Sequence, residues 1–264
     1  MRVKHVSLLS KLNRQTPDDL RLAGIHHLDQ IVAMQPDDLR QFRGIKTKAH
    51  AIHASARAWV EERAVWYGQL RDTCRVDDAY FFDIETLQNE WGGTEVWSIG
   101  WSDSRGAVGV ILVAPEYPAG DLELADGQRV TLVDDAPTAW RVFARFVGAG
   151  DQPIFAWTGY DAGVMRKSAP AEVVEQLNPR VDDLCALFDR AVKLPVKGVS
   201  LKVVARYFGF NWHGYDDWFA AYSDYLRWRR SGDRGLLASA CAYQSDDVEA
   251  MRVVRRWLLE NEPN

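Results

Sequence analysis

The sequence predicts an α/β fold in which a mixed sheet is flanked by helices and preceded by a small all-α domain. Three runs typical of β-strands, at residues 79–84, 95–101 and 107–114, are joined by short turns that favour an antiparallel meander. Further along the chain, an apolar run at 153–157 and a short segment at 180–184 alternate with helical patterns. A meander followed by strands that alternate with helices indicates one α/β sheet.

The composition is that of an ordinary soluble protein with one sizeable core and a small additional domain. Its 264 residues are 47% hydrophobic and 26% charged. A membrane-spanning helix takes about 20 consecutive apolar residues, and no stretch of the sequence approaches that length. We therefore expect no membrane segment and a cytoplasmic location. Cys74, Cys185 and Cys241 are too few and too far apart to predict disulfides or a zinc site.

Charge is distributed unevenly along the chain. Residues 1–72 carry 12 Lys and Arg against 8 Asp and Glu, whereas the remainder carries 20 against 29. A basic amino-terminal segment joined to an acidic body suggests that the first binds a polyanion and the second binds metal. A polar stretch separates the two near residue 75, so we predict a helical domain over 1–75 and a second domain over 76–264.

The amino-terminal segment contains two similar helical units. Residues 18–25 recur about 20 residues later as residues 37–45. Pro17 and Pro36 stand at the first turn of the two units, where proline is tolerated, and each unit closes on a glycine that can adopt a positive φ. The repeat therefore predicts two short helices, each followed by a turn.

Lys46, Thr47 and Lys48 follow the second unit and open a longer helix. The free backbone N–H groups of a helix start, with lysines beside them, form a ready phosphate-binding site. The segment resembles the helix-hairpin-helix family, which holds nucleic-acid backbones without reading sequence; this chain has Lys46 where the family usually has a second glycine. The resemblance implies nucleic-acid binding by Arg43, Gly44, Lys46, Thr47 and Lys48. The alternative is a helical cap that only packs on the second domain.

Two carboxylates end the first apolar strand, in the run Asp83-Ile84-Glu85. Alternate side chains of a strand share one face, so Asp83 and Glu85 point together. Burying such a pair costs several kcal/mol unless a cation compensates, which suggests a divalent-metal site. The alternative is a strand end at which both acids face water.

The remainder of the chain is predicted to be mostly helical. The helical patterns cover residues 136–148, 160–168, 171–177, 183–191, 200–208, 216–229 and 233–260. Several large aromatic residues in this part, Trp212, Trp218, Tyr222 and Tyr225, are expected to pack in the protein rather than to stack on bases.

The last helix carries a second chemical signal, Tyr243-x-x-x-Asp247. Residues four apart share one face of a helix, whereas Asp246 is turned about 100° away from Asp247. A phenol and a carboxylate one turn apart, facing a strand with two acids, could hold a metal and an attacking water together.

Over residues 79–260 the chain resembles the DEDD superfamily of 3′-to-5′ exonucleases, in its tyrosine-bearing branch, which has a ribonuclease-H-like fold. It is most similar to the predicted nuclease domain that bacteria attach to RecB-like nucleases. Asp83-Ile84-Glu85 matches the first motif and Tyr243-x-x-x-Asp247 the third, with further matches at 181–184, 194–196 and 200–202. Asp161 stands at the middle acid, without the asparagine often found upstream, and Asp183 is the alternative.

The resemblance implies a metal-dependent 3′-to-5′ exonuclease. Two magnesium or manganese ions (Mg²⁺ or Mn²⁺), about 4 Å apart, would be held by four carboxylates and would activate water and stabilise the leaving oxygen. Oxygen ligands alone suit these hard cations better than zinc. The implied metal ligands are Asp83, Glu85, Asp161 and Asp247, and Tyr243 would orient the attacking water.

The expected substrate is nucleic acid with a single strand or a 3′ end, with DNA favoured over RNA. Two alternatives stay open: a structure-specific endonuclease, and an inactive nucleic-acid-binding protein with the same fold. A phosphoesterase for small nucleotides is less favoured, since it would not need the basic amino-terminal segment.

Overall fold

The computed structural model of the chain describes residues 4–9, 12, 15–88, 93–125, 127–215 and 217–263. Within these residues the strands are β1 (Val65–Trp66), β2 (Tyr80–Gln88), β3 (Thr94–Asp103), β4 (Val108–Val113), β5 (Gly120–Glu123), β6 (Arg129–Val133), β7 (Ile154–Ala156), β8 (Val181–Asp183) and β9 (Val192–Lys193). A mixed sheet of seven strands, ordered β5-β6-β4-β3-β2-β7-β8, forms the centre of the molecule. The predicted α/β class is confirmed.

Helices surround this sheet and form the amino-terminal part of the chain. The α-helices are α1 (Thr16–Leu22), α2 (Leu28–Val32), α3 (Ala49–Glu61), α4 (Asp72–Arg75), α5 (Ala136–Val147), α6 (Gly159–Ser168), α7 (Ala171–Leu177), α8 (Leu184–Ala191), α9 (Leu201–Tyr207), α10 (Trp218–Ser231) and α11 (Arg234–Asn261). Short 3-10 helices lie at Val6–Leu8, Pro36–Gln41 and Asn178–Arg180. The predicted start of α10, residue 216, lies outside the described residues. No helix in the described part of the chain is long and apolar enough to cross a membrane.

The acidic strand β2 lies inside the sheet. It pairs antiparallel with β3, which pairs antiparallel with β4, so the predicted three-stranded meander is confirmed. On its other side β2 pairs in parallel with β7, and β7 pairs in parallel with β8. The first motif therefore lies between the meander and the parallel part of the sheet.

Strands β5 and β6 were not predicted from the sequence, which suggested a loop between 115 and 135. In the structure β6 pairs in parallel with β4, and β5 pairs antiparallel with β6 at the sheet edge. Strand β5 is largely exposed, so it lacks the apolar alternation by which strands are recognised.

The sheet is covered on both faces by separate hydrophobic cores. Phe82 points to the face covered by α5, where it packs on Trp140 and Phe143. Phe81 points to the other face and packs in a core with Phe155 and with residues of α11. Burying one such aromatic side chain stabilises the fold by about 1.5–3 kcal/mol. Strand alternation then places the side chains of residues 83 and 85 on the α11 face, the face of residue 81.

The amino-terminal helices, which we call the helical arm (residues 4–61), have their own core. Leu20, Leu28 and Ile45 are fully buried in it. Gly24 and Gly44 both have φ of +78°, so each repeat unit closes on the left-handed glycine that the sequence predicts. The second unit is a 3-10 helix rather than an α-helix.

The arm is joined closely to the remainder, which we call the sheet body (residues 72–263). Strand β1 pairs antiparallel with β9 of the body. The backbone N–H groups of Tyr67 and Gly68 donate to the Ala191 carbonyl at 2.9 and 3.3 Å. A side chain at Gly68 would lie 2.2 Å from the Arg190 carbonyl oxygen, so this close approach requires glycine. Helix α4 already belongs to the body, because Cys74 is fully buried in the core of the α11 face.

Candidate active site

Three of the predicted acids converge between β2 and α11. Asp83, Glu85 and Asp247 each offer a carboxylate oxygen, and these oxygens lie within 4.8 Å of one another. Asp247 is 6% exposed, and the two strand residues are half-buried. Three carboxylates so close together repel one another strongly unless protons or cations compensate their charge. Residues more than 160 positions apart in sequence thus form one acidic cluster, which we call the acidic site.

A glycine allows α11 to approach the sheet at this point. Gly100 of β3 is directly opposite Asp83 in the strand register. A Cβ atom at Gly100 would lie 2.5 Å from Cγ and 2.9 Å from the backbone oxygen of Gln244, so no larger residue fits without displacing the helix. The register of β2 on β3 shifts between Glu85 and Thr86, so the regular pairing ends just after the second acid.

Gln244 is a residue of the site that the sequence analysis did not identify. Its side-chain Nε2 donates a 2.7 Å hydrogen bond to Oδ2 of Asp83, and the residue is fully buried. Its Oε1 has no hydrogen-bond partner among the described residues. Gln244 lies between the two predicted motif residues of α11, and its type alone carries no signal of this role.

Tyr243 lies beside the acids, as its position one turn before Asp247 predicts. Its ring is 4% exposed, and its hydroxyl accepts a 3.2 Å hydrogen bond from Nζ of Lys202. Burial raises the pKa of this phenol far above its usual range, and the negative charges of Asp247 and Glu85 raise it further. Tyr243 therefore stays protonated at all working pH values and can act as a hydrogen-bond donor, not as a base.

Lys202 brings a positive charge to the acidic site. Its Nζ lies 4.7 Å from the centre of the Tyr243 ring. Its charge lowers the pKa of Glu85 and of Asp247, and so opposes the larger effect of burial on both. The sequence analysis noted residues 200–202 only as a match to a family pattern. The structure shows that the lysine of this run contacts the site.

Asp161 lies at the first turn of α6, after the N-cap Thr158. Its carboxylate is 5% exposed and accepts the backbone N–H groups of Thr158 and of its own residue, both of which lower its pKa. Burial has the larger effect and raises this pKa to about 7. Asp161 in turn raises the pKa of Asp83 and Glu85 by its negative charge, so it lies near the acidic site but outside the closest group of three.

Asp183, the alternative middle acid, caps a different helix. Its Oδ1 accepts the backbone N–H of Ala186 at 2.7 Å, at the start of α8. Its negative charge raises the pKa of Asp161. Asp183 is therefore the N-cap of α8, whereas Asp161 lies inside the first turn of α6 and is the one whose charge acts on Asp83 and Glu85.

A loop before α10 is tied to two successive acids of α11. The indole Nε1 of Trp212 donates a 2.8 Å hydrogen bond to Oδ1 of Asp247. The next residue, His213, contacts Asp246 through its backbone N–H at 2.7 Å and its ring Nδ1 at 2.8 Å. Asp246 is thus turned away from the acidic site, as helical spacing predicts, and serves to hold the loop.

The expectation that the large aromatic residues only pack is correct for some of them. Tyr225 is 2% exposed in the core between the sheet and α10. Trp218 is 45% exposed at the start of α10, and Trp212 also hydrogen-bonds Asp247. The sequence contains no pattern that would have separated these three positions.

The electrostatics of the acidic site fit a bound cation. Burial, followed by the charges of neighbouring acids, raises the pKa of Asp83 well above its usual range. Burial also raises the pKa of Glu85 to about 8 and that of Asp247 to about 6. Carboxylates held so close in a buried place are stabilised by divalent cations, and donors that are all oxygen suit Mg²⁺ and Mn²⁺. The residues present therefore fit the predicted metals.

The predicted nucleic-acid-binding residues lie on the surface of the helical arm. Four of them are exposed: Arg43, Lys46, Thr47 and Lys48. Gly44 forms the left-handed turn between the 3-10 helix and α3, and Lys48 is the N-cap residue of α3. Thr16 holds this turn in place, because its Oγ1 donates a 2.7 Å hydrogen bond to the Arg43 carbonyl.

An acidic strand inside a mixed sheet, with a further acid on α11, is consistent with the class that the family comparison indicates, a nuclease-type hydrolase that acts on nucleic acid. Residues 80–259 match the family model described as RNase_H_2, of the RNase H superfamily. The match covers more than half of the chain, and the protein belongs to the RNase H superfamily. No curated protein matches the chain.

Proposed function

We propose that the protein is a metal-dependent 3′-to-5′ exonuclease that hydrolyses the phosphodiester bonds of nucleic acid, with DNA as the favoured substrate. The observation that carries the proposal is the convergence of Asp83, Glu85 and Asp247, whose oxygens lie within 4.8 Å of one another. The resemblance to the tyrosine-bearing exonucleases supports the polarity of cleavage, because the phenol that distinguishes that branch stands beside these acids as Tyr243.

Asp83, Glu85, Asp161 and Asp247 are the residues that would hold two Mg²⁺ or Mn²⁺ ions. When bound, such ions lower the pKa of an attacking water and stabilise the charge on the leaving oxygen. The protein's own part is to place the four carboxylates. Gln244 fixes the orientation of Asp83, and Trp212 fixes that of Asp247, through the hydrogen bonds that they donate.

Tyr243 would orient the nucleophilic water. Its raised pKa keeps the hydroxyl proton in place, so the phenol can donate one hydrogen bond while it accepts another from Lys202. The ammonium group of Lys202 would also attract a phosphate of the substrate, because it lies beside Tyr243 at the acidic site.

The helical arm would hold the substrate through its backbone. Arg43, Lys46, Thr47 and Lys48 are exposed around the left-handed turn at Gly44, in the arrangement that phosphate groups favour. We propose the two-part division that the sequence suggests, with α4 assigned to the sheet body: the helical arm binds the substrate and the sheet body hydrolyses it.

The test is digestion of single-stranded and duplex DNA and RNA, labelled at either end, in the presence of Mg²⁺, Mn²⁺ or EDTA. We expect metal-dependent release of mononucleotides from the 3′ end, with the 5′ label passing through a ladder of shortening products. Cutting of a circular single strand would instead identify an endonuclease. Binding without cleavage under every metal condition would identify an inactive binding protein and refute the proposal.

A further inference from the structure

A cleft lies where the helical arm meets the sheet body. Helix α3 forms one side of it, and the segment 188–199, which runs from α8 through β9, forms the other. Its volume is ≈ 260 Å³. Residues of both sides line it, among them Lys48, Ile52, Ser55, Phe188, Leu194 and Val199.

The two sides of the cleft are held at a defined separation. The pairing of β1 with β9 places Val65 opposite Lys193 and Trp66 opposite Val192, so the chain that leaves α3 is hydrogen-bonded to the opposite wall. The close approach at Gly68 continues this contact. The cleft is therefore part of the folded structure, not a gap between separate bodies.

The charge at the cleft favours an anionic occupant. Lys48 lines it from the arm, and Lys197 is exposed in the loop of the opposite wall. Among the described residues that line it, the acid is Asp189, which forms an ion pair with Lys193 at 2.6 Å, so its charge is compensated. Lys48 in the lining and Lys197, which is exposed next to the lining residues Val196 and Gly198, thus place positive charge at a cleft whose walls are otherwise mainly apolar.

One short segment of chain, residues 199–202, lines the cleft at one end and contacts the acidic site at the other. Val199 lines the cleft, and its carbonyl accepts a 3.1 Å hydrogen bond from the indole of Trp157. Trp157 directly precedes Thr158, the N-cap of the helix that carries Asp161. Lys202, three residues after Val199, contacts Tyr243 in the acidic site.

Resting on the proposed function, we propose that this cleft holds a single strand of the nucleic-acid substrate next to the end that is cleaved, with Lys48 and Lys197 contacting its phosphates. A single strand exposes both apolar base faces and phosphates, which matches a cleft of apolar side chains with one lysine in its lining and another beside it. A duplex turns its bases inward and presents mainly phosphates, so its bases would make fewer contacts with the apolar walls.

The test measures binding apart from cleavage. Fluorescence anisotropy in EDTA gives the Kd of the full-length protein for labelled single strands of about 4, 8 and 12 nucleotides. For the wild type we expect affinity to rise with length as the strand reaches the cleft. In the double variant Lys48→Gln, Lys197→Gln this gain should fall about tenfold, and the salt dependence of log K should weaken by about 1.4, or roughly 0.7 for each lost phosphate contact.

Arg145→Gln is the control for the loss of one positive charge outside the cleft. Arg145 is an exposed cation of α5, on the opposite face of the sheet, and its removal changes the net charge in the same direction without touching the cleft. A control variant with the same loss as the cleft variants would show a general charge effect and overturn the proposal. Circular dichroism and thermal unfolding of all variants establish that the fold is kept.

Three results would overturn the proposal. They are unchanged affinity and salt dependence in the double variant, the absence of a length effect in the wild type, and a loss confined to duplexes of the same length. Digestion of the same strands separates this proposal from the proposed function. If the protein cleaves the strands and the two lysines have no effect on binding, only the cleft proposal is refuted. If binding depends on strand length and on the two lysines but no cleavage occurs, only the exonuclease proposal is refuted.

Discussion

The indole of Trp212 donates a 2.8 Å hydrogen bond to Oδ1 of Asp247 and joins the loop before α10 to the acidic site. This bond lowers the pKa of Asp247, against the burial that raises it to about 6. Because the carboxylate must be ionised to hold a cation, the indole is a positioning residue for Asp247. The contribution of this hydrogen bond can be measured with a substitution that removes the donor and keeps an aromatic ring at position 212.

Replacing Trp212 with Phe removes the donor and keeps an aromatic ring. A hydrogen bond to a charged group contributes about 1.5–3 kcal/mol, so we expect metal affinity to fall by about 10-fold to 100-fold. The pKa of Asp247 should rise, because an effect that lowers it is lost, and the acid limb of the pH–activity profile should move to higher pH. The measurements are Mg²⁺ titrations of activity and a pH–rate profile.

Trp218→Phe is the control for that substitution, because its indole is 45% exposed at the start of α10. It should leave both the metal titration and the acid limb in place. An unchanged acid limb in Trp212→Phe, with lower activity, would mean that Trp212 contributes only packing.

Replacing Asp83 with Asn should abolish hydrolysis and stabilise the metal-free protein. The loss of one carboxylate from the cluster should reduce activity by roughly a thousandfold or more. The raised pKa of Asp83 means that its charged form is disfavoured in the folded state, so a neutral amide relieves repulsion. We expect Tm in EDTA at pH 8 to rise by about 2–4 °C, which corresponds to about 1 kcal/mol.

Asp151→Asn serves as its control, since Asp151 is exposed between α5 and β7. The same change of charge there should alter neither activity nor Tm. Full activity in Asp83→Asn would refute the assignment of the acidic site, and a lower Tm would show that the negative charge of Asp83 stabilises the fold.

Most elements with regular burial were predicted from the sequence, and β6, whose residues alternate between buried and more exposed, is an exception. The meander, α5 and α11 have the apolar periodicity that a half-buried or buried element requires, and their predicted bounds agree with the structure to within a few residues. Strand β5 was not predicted because it is an exposed edge strand. Strands β1 and β9 were not predicted because each has only two residues, and their pairing depends on how the arm packs on the body and not on a local sequence pattern.

The acidic site was predictable for residues that carry their own chemistry and not for those that act by position. The spacing of acids on a strand and on a helix identified Asp83, Glu85 and Asp247 as candidates, and the structure brings their oxygens together. Gln244 and Trp212 depend on how α11 and a loop pack, and a glutamine or a tryptophan occurs at many sites without function. Whether these acids act in catalysis stays a prediction.

The stability of the metal-free protein should increase as the pH falls from 8 to about 5.5. Glu85, Asp161 and Asp247 have folded-state pKa values of about 8, 7 and 6, above the values near 4 of unfolded chains. Between these limits the folded state binds more protons than the unfolded state, so the free energy of unfolding rises as protons are added. Below pH about 4 both states are protonated, and these groups add no further change.

Urea unfolding followed by tryptophan fluorescence measures this effect. In EDTA we expect the free energy of unfolding to be at least about 1 kcal/mol higher at pH 5.5 than at pH 8. Mg²⁺ should stabilise the protein more at pH 8 than at pH 5.5, because it competes with protons for the same carboxylates. The triple variant Glu85→Gln, Asp161→Asn, Asp247→Asn should lose most of both effects, because it removes the groups that take up the protons; a wild type equally stable at both pH values would contradict the prediction.

Replacing Gly100 with Ala should damage the acidic site without changing any of its polar groups. The added Cβ would lie 2.5 Å from Cγ of Gln244, so α11 must move away from β3. Overpacking of this kind costs about 1–3 kcal/mol, and a displacement of about 1 Å at the acids can reduce activity about 100-fold.

Gly163→Ala is the matched control. Its Cβ would meet no atom closer than 3.8 Å, and alanine in helix α6 should stabilise the protein by about 0.5–1 kcal/mol. Unfolding free energies and digestion rates of the two variants decide the matter, because equal behaviour of both would show that α11 does not depend on Gly100 to reach Asp83.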